Sequence, residues 1–109
     1  MGRFSGFIMA HRKSNLERNN WAIGLLNLRP QDHVLELGFG PGVAIEKMSQ
    51  IVTSGVVYGI DHSLTMFTMA TKRNEKRITA GRVKLFHASV SALPSIPFPV
   101  EKVLDINSF

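Results

Sequence analysis

The chain of 109 residues has no cysteine, which excludes a disulfide framework and any thiolate-held metal. Acids are scarce: eight Asp and Glu stand against thirteen Lys and Arg, a formal net charge of +5. No apolar run approaches the ~18 residues that a membrane-spanning helix requires. The first ten residues, Met1 to Ala10, are too short and too interrupted for the apolar core of a secretion signal. Gly2 does not open a myristoylation site, because position 6 is Gly rather than Ser or Thr. No His, Asp or Glu group has metal-ligand spacing. These absences fit a cytoplasmic protein. What remains is 44% hydrophobic composition, ordinary for a globular protein, in a length that allows one domain with a modest core.

With so few acids, the position of each one counts. Residues 34–42 read Val-Leu-Glu-Leu-Gly-Phe-Gly-Pro-Gly. An apolar run ends at Glu36, and Gly38, Gly40 and Gly42 follow at alternate positions before an amphipathic stretch begins. This pattern predicts a strand, a tight turn and a helix start, where backbone approaches a ligand closely. A second apolar run, Val56 to Ile60, ends at Asp61.

The surrounding pattern alternates helices and strands. Residues 1–13 have no clear period and form an N-terminal arm, either disordered or packed on a partner; the domain proper runs from 14 to 109. Ser14 and Glu17 make a capping box, and Leu16, Ala22, Ile23, Leu25 and Leu26 fall on one helical side until Pro30 ends the helix near Leu28. His33 to Leu37 form the first strand. Pro41 suits the first turn of a helix over 41–52, with Ala44, Ile45, Met48, Ile51 and Val52 facing a sheet. Residues 56–60 read as a second strand, buried on both faces. Ser63 caps a helix running to about Ile78. Arg82 to His87 form the third strand. Pro94, Pro97 and Pro99 make a loop, and Val100 to Ile106 form the fourth strand. Such alternation requires a parallel sheet with right-handed crossovers.

The basic residues Lys72, Arg73, Lys76 and Arg77, with Arg82 and Lys84, follow a helix. Lys72/Lys76 and Arg73/Arg77 are i,i+4 pairs on one side of it. No aromatic residue interleaves them, so the cluster is a solvated helix face rather than a nucleic-acid surface.

Two details decide what the glycine turn holds. A dinucleotide fingerprint G-x-G-x-x-G places its third glycine at Val43 or at Ile45, and neither fits. An acid two positions before the first glycine repels a pyrophosphate and suits a cation. S-adenosylmethionine carries an ammonium and a sulfonium and no phosphate.

Glu36-Leu-Gly-Phe-Gly-Pro-Gly42 followed by Gly59-Ile-Asp61 resembles the first two motifs of class I S-adenosylmethionine-dependent methyltransferases, their small-molecule branch above all. The resemblance runs from about Asn20 to Phe109. It implies an α/β, Rossmann-like three-layer parallel sheet, partial at about four strands in the order 3-2-1-4, with an N-terminal helix. It implies that Glu36 and the backbone of Gly38 and Gly40, in a turn completed by Phe39 and Gly42, hold the methionine part of S-adenosylmethionine. Asp61 would accept hydrogen bonds from the ribose hydroxyls, with His62 and Met66 near the adenine. The family often has an acid after the third strand; Ser89 stands in that region here. Asn107 falls where the family lines the cofactor crevice. The rival reading of Asp61 is a helix cap, of Met66 a core position, and of Glu36 an ordinary strand-end acid.

The family sheet has seven strands, and its fourth lies beside its first. An exposed apolar fourth strand is a site for pairing with another chain, and an uncovered sheet face leaves a large apolar patch. The expectation is therefore a homodimer, or another chain covering that edge. The function expected is methyl transfer to a small-molecule acceptor when the domain is completed by a partner or by further chain. The alternative is a non-catalytic S-adenosylmethionine-binding or dimerisation module. Nucleic-acid methylation and nicotinamide binding are weaker readings. No catalytic residue is identifiable.

Overall fold

The computed structural model describes residues 6–9, 16–91 and 99–105. Their elements are β1 (Gly6–Met9), α1 (Leu16–Leu26), β2 (His33–Leu37), α2 (Val43–Ile51), β3 (Val56–Asp61), α3 (Leu64–Arg73), α4 (Glu75–Thr79), β4 (Val83–His87) and β5 (Lys102–Asp105). All strand pairings are parallel, in the order β1-β5-β2-β3-β4. The four strands expected from the sequence thus keep the order 3-2-1-4, as β4-β3-β2-β5.

The fifth strand is a correction. Gly6–Met9, inside the segment read as an arm, pairs with Lys102–Asp105 in register, Gly6 opposite Lys102 and Met9 opposite Asp105. The edge expected to need a second chain is therefore taken by the chain's own first strand. Its four residues are too few for a period-2 pattern to stand out, and the pairing joins residues nearly a hundred positions apart.

Alternation along the strands sorts the core into two faces. Val34, Val57, Val83 and Leu104 pack with Ala22, Ile23 and Leu26 of α1, with Ala44, Ile45 and Met48 of α2, and with Ala70 of α3. Leu35, Leu37, Tyr58, Ile60 and Val103 form a second cluster with Val100. This second face, expected to lie open, is buried at every one of those residues.

Three local details differ from the sequence reading. Pro41 precedes its helix rather than opening it: Gly42 is the N-cap, at φ 88°, and α2 starts at Val43. The helix expected from Ser63 to Ile78 is broken at Asn74 into α3 and α4. Asn74 is buried, and its Nδ2 donates to the carbonyls of Gly42 (3.2 Å) and Ala70 (3.0 Å). A side chain recruited to hold the glycine turn outweighs helix continuity there. Finally, α1 stops at Leu26 with Asn27 left-handed at φ 52°, three residues before Pro30. Ser14 of the capping box lies outside the described residues; Ser63 caps α3 as expected, accepting from the Met66 N–H at 3.2 Å.

The amino ends of the strands are tied by buried polar groups. Lys102 Nζ donates to the Leu26 and Asn27 carbonyls at the end of α1 (2.9 and 3.0 Å) and lies 3.4 Å from Asp32 Oδ2. A cation there also suits the negative end of a helix. Gly55 lies against the Asp32 carbonyl so closely that a Cβ would come within 1.8 Å of its oxygen.

Candidate functional site

The carboxyl ends of β2 and β3 carry the site. β2 delivers Glu36 and then the turn; β3, its neighbour in register, delivers Asp61. Gly38, Gly40 and Gly42 all have positive φ (70°, 56° and 88°), a conformation that L side chains adopt at a cost. Three left-handed residues at alternate positions fold the turn back over the sheet.

Every one of the three glycine amides is used inside the protein. Gly38 N–H donates to the Ile60 carbonyl (2.8 Å) and Gly42 N–H to the Phe39 carbonyl (3.1 Å). Gly40 N–H donates to Asp61 Oδ2 (2.8 Å). A turn that binds phosphate presents its amides to the ligand; these glycine amides are already spent. Asp61 accepts through both carboxyl oxygens. Its Oδ2 ties the two strand ends together and its Oδ1 accepts the Ser63 N–H (2.8 Å) at the start of α3. Each oxygen keeps a second lone pair.

Glu36 is the opposite case. It is fully buried, at 0% exposure, and neither carboxyl oxygen has a hydrogen-bond partner. Alternation places it on the Val34 face, under the helices. Burial pushes its pKa well above 4.5, and the nearby carboxylates of Asp61 and Asp105 push it further in the same direction. A buried acid with no partner and two acidic neighbours is costly. A cationic donor relieves both the unmet hydrogen bonds and the repulsion. The residues present therefore fit a ligand with a positive group at this point.

The other candidate residues divide. The Phe39 ring is 1% exposed and belongs to the core, in space that Gly59 leaves free, where an added Cβ would come within 2.7 Å of Phe39 Cδ2. Gly42 serves packing, since a Cβ there would lie 2.7 Å from Ala70 Cβ and 2.9 Å from Asn74 Nδ2. His62 is exposed, with Nδ1 4.0 Å from Asp61 Oδ1, and its carbonyl lies 3.1 Å from His87 Nε2. Met66 is half-buried. Ser89 sits one residue past Ala88, whose N–H donates to the Asp61 carbonyl (3.0 Å), and its Oγ meets Ser91 Oγ at 2.9 Å in a local turn. Asn107 lies outside the described residues. Among the described residues no group of three His, Asp or Glu could hold a metal ion.

Two further buried polar groups escaped the sequence reading. Asp105, buried at the end of β5, was hidden because four alternating residues give no hint of where a strand's end sits. Asn19 lies on the stripe 19, 22, 23, 26 of α1, and its Oδ1 is buried without a partner. A polar residue on an otherwise apolar helical stripe was the available signal.

A helix-flanked parallel sheet with its glycine turn and acids at the carboxyl ends of adjacent strands is a Rossmann-like nucleoside site. Residues 34–108 match the methyltransferase domain family, and the chain belongs to it. Over 105 residues it is 30% identical to an uncharacterized methyltransferase, YdaC, of Bacillus subtilis, spanning 96% of this chain and 55% of that protein. A methyltransferase of Geobacter sulfurreducens, in complex with S-adenosyl-L-homocysteine, superposes at a TM-score of 0.59 with 29% identity, covering 76% of this chain and 34% of that one. The S-adenosyl-L-homocysteine complex of a Thiobacillus denitrificans methyltransferase gives a TM-score of 0.69 at 25% identity, covering 90% and 39%. The chain thus spans about half the length of the curated relative it matches.

Proposed function

We propose that this chain binds S-adenosylmethionine at the carboxyl ends of β2 and β3, and that the whole protein transfers the methyl group to a small-molecule acceptor. One observation carries the reading: the three glycine amides are consumed internally while Glu36 is buried and unpartnered. That combination suits a cation and gives a phosphate nothing from the glycines.

Bound there, S-adenosylmethionine supplies a methyl group activated by its sulfonium. The chain's own residues bind and orient it. Glu36 accepts from the methionyl ammonium, and the turn of Gly38, Phe39 and Gly40 carries the methionine part. Asp61, fixed by the Gly40 and Ser63 amides, offers its remaining lone pairs to the ribose diol. His62, Met66 and Ser89 border the adenine end. Alignment of acceptor, methyl carbon and sulfur is most of what such a transfer needs from a protein.

Residues 14–109 are assigned to the cofactor-binding domain, with 1–13 an arm whose strand Gly6–Met9 extends the sheet beyond β5. A second copy would add at β1, beside the exposed Trp21 and Leu25 of α1, rather than at β5; light scattering reads this directly. No helix among the described residues is long and apolar enough to cross a membrane, which supports a cytoplasmic location.

Isothermal titration tests the central reading. The chain should bind S-adenosylmethionine and its demethylated product, and Asp61→Ala should weaken both by at least tenfold while thermal melting still reports a folded protein. Binding of NADH in place of S-adenosylmethionine would overturn it.

A further inference from the structure

The cofactor reading uses β2 and β3 and gives α1 nothing to do. The register of α1 argues otherwise. Its last carbonyls, at Leu26 and Asn27, rest on Lys102 at the start of β5. The helix therefore runs from the strands' carboxyl ends down to their amino ends. At about 1.5 Å per residue, Asn19 stands roughly 10 Å above Leu26. At about 3.3 Å per residue, Leu104 and Asp105 stand roughly 7–10 Å above Lys102. Asn19 is thus level with the carboxyl end of β5, and Leu104 there is the register partner of Glu36.

The faces agree as well. Asn19 continues the stripe of Ala22, Ile23 and Leu26 that packs on Val34 and Leu104. Glu36 is the next residue on the same face of β2 as Val34. Two buried acceptors without hydrogen-bond partners, Asn19 Oδ1 and the Glu36 carboxyl, therefore cap one apolar core at one level, from opposite sides. Buried acceptors left without partners at one level call for a donor, and an ammonium has three N–H groups to give.

We propose that Asn19 is a second acceptor for the methionyl ammonium of S-adenosylmethionine, so that α1 closes the methionine end of the site opposite Glu36. This rests on the cofactor reading above. It makes the helix a part of the ligand site as well as of the core.

The experiment compares S-adenosylmethionine with 5′-methylthioadenosine, which keeps the nucleoside and sulfur but lacks the amino-acid part. Titrations use the full chain. Asn19→Leu should weaken S-adenosylmethionine roughly tenfold or more, leave 5′-methylthioadenosine unchanged, and leave the melting temperature of the free chain equal or higher, because an unmet polar atom is gone. Asn19→Asp, which keeps an acceptor, should hold S-adenosylmethionine affinity within about threefold. Equal S-adenosylmethionine affinity in wild type and Asn19→Leu would overturn the inference alone. Parallel loss of both ligands in Asn19→Leu would overturn it too, by making Asn19 structural. A wild-type chain that binds neither ligand removes the cofactor reading and this inference with it.

Discussion

The two ends of the sheet treat buried polar groups in opposite ways. At the amino ends, Asp32 Oδ2 accepts the Arg29 N–H (2.8 Å) and faces Lys102, Lys102 holds the end of α1, and Arg82 Nε donates to the Gly55 carbonyl (3.0 Å). Arg82 Nη2 is left over there. At the carboxyl ends, Glu36 has no partner and lies among acids. The first end is built for stability of the free chain. The second holds an electrostatic cost that a cationic ligand removes. The stabilising groups and the proposed binding groups are thereby separated by the length of a strand.

The largest effect should come from the amino end. Gly55→Ala puts a Cβ 1.8 Å from the Asp32 carbonyl oxygen, a backbone atom that cannot swing aside. It should exceed the ~1–3 kcal/mol of ordinary overpacking, and urea unfolding should find little folded protein. Lys102→Met should come next, at about 3–5 kcal/mol, because it strands Asp32 and two helix carbonyls in a buried place. Chemical denaturation measures it; a loss under 1 kcal/mol would erase the contrast between the ends.

At the carboxyl end the sign should reverse. Glu36→Gln should leave the free chain as stable or up to ~1–2 kcal/mol more stable, while S-adenosylmethionine affinity falls. The pH dependence follows from the raised pKa of Glu36. The folded state favours the protonated form, so the Glu36 contribution is full below 4.5 and is lost as pH climbs through the folded-state value. Glu36→Gln should flatten that slope in melting curves across this range. Titrations in buffers of differing ionisation enthalpy should show proton release on S-adenosylmethionine binding where free Glu36 is protonated.

The smallest effect belongs to the basic face. Lys72 and Lys76 are exposed, and alanine at both should change stability by no more than ~0.5 kcal/mol each and cofactor affinity not at all. Their neighbour Arg73 is different, since it donates to the Pro41 carbonyl (3.2 Å) and pairs with Glu46 (3.3 Å), bracing the glycine turn.

Much of the fold was legible because its signals are local. The stripes of α1 and α2, the apolar runs of β2 and β3, and the glycines before Val43 are set by neighbours within a few residues, and alternation of helix and strand leaves one handed topology. The opposed acids at Glu36 and Asp61 were legible for the same reason. What Phe39 and Gly42 pack against was not legible, because a turn read in one dimension hides what lies behind it. There it is Gly59 that admits the ring, and Ala70 and Asn74 that press on Gly42.

The amino-acid order alone determined the class of this chain: a Rossmann-like methyltransferase-family domain with a glycine turn between two carboxylates, since periodicity and turn chemistry are short-range properties. Tertiary structure decided the rest. It placed Gly6–Met9 on the open edge of β5, and it brought Lys102 under a helix end about 75 positions away. It also used up the glycine amides while leaving Glu36 bare. Each of these depends on which distant groups meet once the chain is packed, and hydrogen-bond satisfaction is settled only there.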